Sequence, residues 1–368
     1  MADEPELKTS TKQKVMNPLV LAWGFVLIAI SLTVAWVLLS DAPLEEEIID
    51  KQTIAITQDL PDQQVEEAVS TSEPINEPTI PVTEEPVTDD RNQSIIATQT
   101  PLTKAPNPNL LIEGQNGLKP TLGPDGLIAW QEYARPFNGP EDKPRIAILV
   151  TDIGLNSKSS TLAIENLPGQ INLAFSPYGR NLQNWMDKAR NKGHEGFLML
   201  PTEPLNYPDS DPGPHTLIAD LSERENMSRL DWILSRVGGY VGVVNHMGSK
   251  FTASEEALTP TMNDLKDRGL MFVDARSTRF SMAARLARRA SMPRAINDRY
   301  IDNTMTSEKI QKQLAELEKI ANTFGAALGL ARALPLTIDE LAKWSQSLEN
   351  KGIDLVPVSA IANRQPIK

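Results

Sequence analysis

In the second half of this chain, six short apolar runs each lead into residues that can do chemistry. RIAILV runs into Thr151 and Asp152, INLAF into Ser176 and Tyr178, and GFLML into Thr202 and Glu203. YVGVV runs into Asn245 and His246, LMFV into Asp274 and Arg276, and the stretch after Ala295 into Asp298 and Asp302. Carboxylates and imidazoles move protons and hold divalent metals through oxygen and nitrogen, and an arginine stabilises a developing oxyanion. Thiolate catalysis and cysteine-ligated zinc are excluded, because the chain has no cysteine. Each of these residues also has a plainer use. An Asp after a strand caps the next helix, Glu203 caps loop amides, Asp274 and Arg276 make a structural ion pair, and His246 bridges a strand end and a loop. What marks a functional rim is that all of them recur at the same place in the pattern.

The elements that must position them alternate. Apolar runs at 145–151, 171–175, 196–200, 240–244, 270–274, 295–297, 326–330 and 353–358 read as strands. Between them lie helical patterns: Met227, Leu230, Leu234 and Val237 share one face, as do Ile310, Leu314, Leu317 and Phe324. Strands alternating with helices make parallel βαβ units. About eight units in roughly 220 residues predict an α/β fold, a distorted (β/α) barrel, whose working face lies at the C-terminal ends of the strands. His194 precedes a strand and falls on the opposite face, as a structural residue. His215 falls in a solvated loop on the working face. Arg285, Arg288, Arg289 and Arg294 read as a solvated basic face.

The first part of the chain has another texture. Residues 18–39 contain no charge, and 22 residues at 1.5 Å each span a hydrocarbon core of about 30 Å. Lys8, Lys12 and Lys14 precede this run, and Asp41, Glu45, Glu46 and Glu47 follow it. The positive-inside rule makes 1–17 a cytoplasmic tail, 18–39 a single transmembrane anchor in the cytoplasmic membrane, and everything beyond it extracytoplasmic. Residues 40–143 read as an acidic, proline-rich linker; 14 of the chain's 28 prolines lie between positions 41 and 144. Its last stretch, 126–137, with Trp130 and Tyr133, is placed to dock on the domain that follows. The net charge of −12 is local to the linker: from 101 to 368 there are 30 acidic and 31 basic residues, a balance that argues against a nucleic-acid partner.

Residues 144–363 resemble the divergent polysaccharide deacetylase family of bacterial envelopes. The resemblance rests on ILVTDIG (148–154), GHEGFLMLPTEPLNYPDSDPGPHTL (193–217), GYVGVVNHMGSKFT (239–252), GLMFVDARST (269–278), YIDN (300–303), GAALGLARALPLTIDELAKW (325–344) and LVPVSAI (355–361), in that order. It implies a barrel of the polysaccharide-deacetylase type, descent from esterases that remove acetyl groups from N-acetylated sugars, and an envelope glycan such as peptidoglycan as partner. The pattern departs where the chemistry should be. Many members carry an Asp-Asp pair where this chain has Thr151 and Asp152, a His at the position of Met199, and a Gly-His at 329–330, where this chain has Gly329 and Leu330. The Asn-His-Met-Gly-Ser run is intact at 245–249.

For amide hydrolysis the resemblance implies one divalent, zinc-type metal that lowers the pKa of a bound water to about 7 and polarises the carbonyl. Asp152 and His246 are the ligand pair, with Asp274 or Glu203 as third ligand. Asp152, Glu203, Asp274 and Arg276 form the catalytic set. Tyr178, Asn245 and Asp302 are the substrate-binding candidates. The competing expectation is a catalytically inactive domain that binds glycan or recruits envelope partners. A third is a metal-free glycosidase with two carboxyl groups about 5–10 Å apart.

Overall fold

A computed structural model describes residues 100–367. The expected tail, membrane helix and first part of the linker, residues 1–99, lie outside the described residues. Among those described, no helix is long and apolar enough to cross a membrane.

A hairpin of β1 (Leu111–Gly114) and β2 (Gly117–Pro120) and a helical turn α1 (Ala129–Glu132) precede the main sheet. Then come β3 (Arg145–Ile153), α2 (Ser157–Asn166), β4 (Asn172–Phe175), α3 (Leu182–Asn191), β5 (Gly196–Thr202), α4 (Glu223–Leu234), β6 (Gly242–Met247) and α5 (Glu255–Asp267). The chain continues through β7 (Met271–Asp274), α6 (Ala283–Arg289), β8 (Arg294–Ile296), β9 (Arg299–Tyr300), α7 (Ser307–Phe324), β10 (Ala326–Arg332), α8 (Pro335–Ser345) and β11 (Asp354–Leu355). Continuous apolar runs suit parallel strands covered on both faces, and β3 is buried without interruption from Arg145 to Val150. Helix ends are set by local chemistry. Ser222 and Glu225 form a capping box at the start of α4, and Gly325 takes the left-handed conformation that ends α7. On α7, Ile310, Leu314 and Leu317 face the core as expected; Phe324 is exposed and Ala321 takes its place inside.

The sheet is parallel, with strand order β8-β7-β6-β5-β4-β3-β10-β9 and β11 beside the start of β3. Its two end strands are neighbours in sequence, separated by Asn297 and Asp298. The Asn297 amide donates to Asp274 O at 2.8 Å, on the β7 side, and the Asp298 amide to Leu328 O at 2.9 Å, on the β10 side. One short stretch thus changes partner from β7 to β10. The distorted barrel expected from the unit count is realised as a curled parallel sheet whose ends meet through this crossing, without a β8–β9 ladder. The C-terminal tail covers the outer edge of β8: the Gln365 side chain accepts from the Ile296 amide at 2.7 Å and donates to the Ile296 carbonyl at 2.6 Å. An unpaired strand edge is thereby capped.

The described end of the linker, 100–143, is packed rather than extended, and packing begins well before residue 126. It lies against the N-terminal ends of the strands, the face opposite the rim. Ala105, Leu110, Ala129 and Tyr133 are buried there, enough apolar surface to hold a segment whose composition otherwise reads as disordered. Buried Arg190 at the end of α3 donates to Thr103 O at 2.8 and 3.1 Å and to Tyr133 O at 2.9 Å. Lys119 and Arg268 both reach Asp231, at 2.6 and 3.0 Å, tying the hairpin to α4 and α5. Buried Glu195 receives the Arg135 amide at 2.8 Å and both the hydroxyl and the amide of Ser359. It joins the arm, β5 and the C-terminal segment. His194 beside it is buried between the carbonyls of Ile171 and Ile164, a structural residue as expected.

Burial raises the Glu195 carboxyl to about 6; hydrogen bonds from Ser359 and Arg135 and the charge of Arg190 pull the other way. Between the unfolded value of 4.5 and about 6, the folded protein keeps a proton that the unfolded chain has released. Stability therefore falls as pH rises through this window, by about 2 kcal/mol in all from this group. Glu195→Gln is expected to flatten that part of the stability-versus-pH curve, measured by denaturant unfolding of the full-length protein.

Candidate functional site

The rim is built where the parallel strands run out. At the end of β3 the pairing with β4 is irregular between Val150 and Ile153, and Asp152 sits there with φ +67°. At the end of β6, Met247 has φ +56°, and Arg276, after β7, has φ +57°. Three non-glycine residues in the left-handed region at three strand ends hold local strain, which the surrounding contacts must maintain. Gly248 follows Met247 with φ +92°; a Cβ there would lie 2.3 Å from Thr202 Oγ1, so the turn out of β6 requires glycine.

Asp152 and His246 are brought together. Both are half-buried. Burial lowers the His246 pKa, and the Asp152 charge acts against it, so the imidazole is neutral at neutral pH beside a carboxylate. Met199 completes this corner: the Asp152 amide points to Met199 Sδ at 3.3 Å. The β5–β6 register places Pro201 opposite His246 and Met199 opposite Val244, so Met199 lies one step down the same face as His246. The Thr151 hydroxyl donates to Ala331 O at 3.2 Å and lies 3.3 Å from Asp152 Oδ2, closing the corner on the β10 side.

The other predicted residues are held in structural contacts. Glu203 is buried and accepts from the Ala219 amide at 2.7 Å and from Lys250 Nζ at 3.0 Å. Lys250 also reaches Asp220 at 2.7 Å. Glu203 thus ties the loop after β5 to the loop after β6. Asp274 is buried, accepts from the Arg276 amide at 2.8 Å and from the Ser281 hydroxyl at 2.9 Å, and caps its own loop. Burial raises its pKa, against those hydrogen bonds and the Arg276 charge. Asn245 spans β6 and β7, accepting from the Ala275 amide at 2.8 Å and donating to Met247 O at 2.8 Å. Asp302 accepts from the Arg332 amide at 2.9 Å and the Thr337 hydroxyl at 3.0 Å, fastening the loop after β9 to the start of α8. The Tyr178 hydroxyl accepts from the His215 amide at 3.1 Å. His215 in turn stacks on Trp232 with ring centroids 3.5 Å apart, a packed loop contact where a solvated histidine was expected.

The donor set does not fit a zinc-type ion. Such a site takes three protein ligands of nitrogen or oxygen type plus an open position. Among the described residues, no group of three or more His, Asp or Glu is placed to hold a metal. Asp152 and His246 stand with a thioether beside them, and the two carboxylates expected as third ligand are turned to backbone amides, a lysine and a serine. In sequence, Met199 is marked only by the resemblance, as the place of a missing histidine, and Lys250 reads as a loop lysine. Ser277 and Tyr300, which lie 3.4 Å apart beside this rim, carry no local signal either. Their places around the Asp152–His246 corner become visible only through the register of neighbouring strands.

The site is thus a half-buried Asp–His pair at the strand ends of a curled parallel sheet in an α/β fold. The model of the divergent polysaccharide deacetylase family matches residues 148–362, and the chain belongs to that family. An uncharacterised protein of Haemophilus influenzae is 24% identical over 204 residues, 55% of this chain and 72% of that protein. The uncharacterised Escherichia coli protein YibQ is 24% identical over 223 residues, 61% of this chain and 69% of that protein. A crystal structure of an uncharacterised protein from Agrobacterium tumefaciens C58 aligns with TM-score 0.65 and 39% identity, covering 67% of this chain and 99% of that one.

If Met199 is what leaves the donor set short, Met199→His supplies the missing nitrogen. Elemental analysis after zinc loading and gel filtration is expected to find no stoichiometric zinc in the parent and one ion per chain in Met199→His, lost again in Met199→His/His246→Ala.

Proposed function

We propose that this protein is an envelope protein whose deacetylase-family domain binds N-acetylated glycan, such as peptidoglycan, at the Asp152–His246 corner and has given up metal-assisted hydrolysis. The observation that carries this reading is the corner itself: one carboxylate and one neutral imidazole, with the Met199 thioether beside them and, among the described residues, no third nitrogen or oxygen ligand. Such a pair suits an acetamido group. The Asp152 carboxylate accepts from its N–H, and the neutral imidazole donates to its carbonyl. Family membership supports the substrate class. The uncharged run at 18–39, with lysines before it and acids after it, supports a single-pass anchor that holds the domain outside the cytoplasmic membrane.

The test is binding and turnover by the full-length protein in detergent, with chitooligosaccharides and peptidoglycan fragments, with and without zinc, cobalt or nickel. Saturable binding is expected, weakened at least about tenfold, or roughly 1.4 kcal/mol, in Asp152→Asn and in His246→Ala, with no acetate released. Acetate release that disappears in His246→Ala would restore the hydrolase. No binding to either glycan would remove the glycan reading.

A further inference from the structure

The loop leaving β7 and the helix after it carry a feature that the Asp152–His246 corner does not use. Arg276, Arg279 and Arg285 line one narrow cleft, with Thr278 and Ser281 on its wall and Pro366 closing it from the C-terminal tail. Among the described residues, none of the three arginines is in an ion pair with a carboxylate. Arg279 lies over the Phe280 ring at 4.6 Å, and Arg285 contacts Met282 Sδ at 2.9 Å. Two carboxylates also line the cleft, and both are engaged. Asp274 accepts from its own loop, as described above, and Asp298 Oδ2 accepts from the Leu328 amide and the Gln365 side chain at 3.1 and 2.6 Å. The cleft is therefore cationic at its mouth.

Its size sets what enters. The cleft holds about 30 Å³, whereas one water needs about 10–15 Å³. Two oxygen-sized atoms fit and a sugar ring does not. Phe280, the chain neighbour of Arg279, is 61% exposed, with the Arg279 guanidinium over one face of its ring. Arginine forks match planar carboxylates in bidentate geometry. The cleft opens two residues beyond Asp274, on the rim that carries the Asp152–His246 corner.

We infer that Arg276, Arg279 and Arg285 form a carboxylate-binding subsite, so that the domain selects acidic N-acetylated glycans over neutral ones. This rests on the glycan reading proposed above and names the substrate class more narrowly.

The experiment compares binding of three N-acetylated oligosaccharides to the full-length protein by calorimetry at two salt concentrations. One carries a free carboxylate, one has that carboxylate reduced to the alcohol, and one carries a phosphate monoester. The carboxylate form is expected to bind at least about tenfold more tightly than the alcohol, with the advantage shrinking at high salt. In Arg279→Gln/Arg285→Gln, whose side chains are exposed, the advantage is expected to vanish while affinity for the alcohol is retained. Arg279→Lys/Arg285→Lys is expected to keep part of it. Equal binding of carboxylate and alcohol by the parent, or an advantage undiminished in the double glutamine variant, overturns the subsite and leaves the glycan reading standing. A phosphate ester preferred over the carboxylate overturns the carboxylate assignment. Carboxylate preference that persists while Asp152→Asn and His246→Ala change nothing overturns the corner and leaves the subsite. No binding of any of the three overturns both.

Discussion

The main sheet is buried on both faces, and that constraint governs where this chain can keep a charge. From Ile146 to Val150 every side chain of β3 is removed from solvent, and β4 beside it and β5 beyond are buried along their whole length. An unpaired charge in such a layer would cost several kcal/mol. Ionisable residues on the sheet are therefore driven to the ends of the strands. One end became the docking face for the N-terminal arm, and the other became the rim. The concentration of Asp, Glu, His and Arg after successive apolar runs follows from this exclusion before any chemistry is invoked.

Being at the rim is not the same as being available there. Glu203, Asp274 and Asp302 are almost fully buried, and each meets its desolvation by accepting at least two hydrogen bonds. Those bonds hold the long loops after β5, β7 and β9 in place. Asp152 and His246 differ because each stays partly open to solvent, Asp152 in the bulge that ends β3 and His246 at the last ladder positions of β6, just before its left-handed turn. The backbone strain at Asp152, Met247 and Arg276 lies in this part of the rim, which is where a structure stores strain that serves a site.

The opposite face shows how a proline-rich, acidic segment can be ordered at its end. Four buried apolar side chains, the guanidinium of Arg190 under three backbone hydrogen bonds and the carboxylate of Glu195 fix 100–143 across the starts of β5, β6 and β7. The C-terminal tail does the complementary work at β8, where Gln365 imitates a neighbouring strand. The two termini of the domain thus seal the N-terminal face and one sheet edge, and the C-terminal face is left for ligands.

Much of this was legible in the amino-acid order. Local patterns determine the alternation of strands and helices, the parallel class of the sheet, the apolar run at 18–39, the acidic segment after it, the motifs of the family, and the rim on which the polar residues gather. They do so because periodicity of 2 or 3.6, charge runs and strand-end polarity are properties of short windows of chain. Other features required the folded chain. The crossing of 294–300 between β7 and β10 depends on partners more than 20 residues away on both sides. The contact of Asp152 with Met199, and the field of Asp152 at His246, depend on register across three strands. The diversion of Glu203 to Ala219 and Lys250, and of Asp302 to Arg332 and Thr337, depends on which loops come within hydrogen-bond distance. A side chain's type and its rank in the sequence say what chemistry it is able to do. Burial and the nearest donors, set by tertiary packing alone, decide whether it is left free to do it.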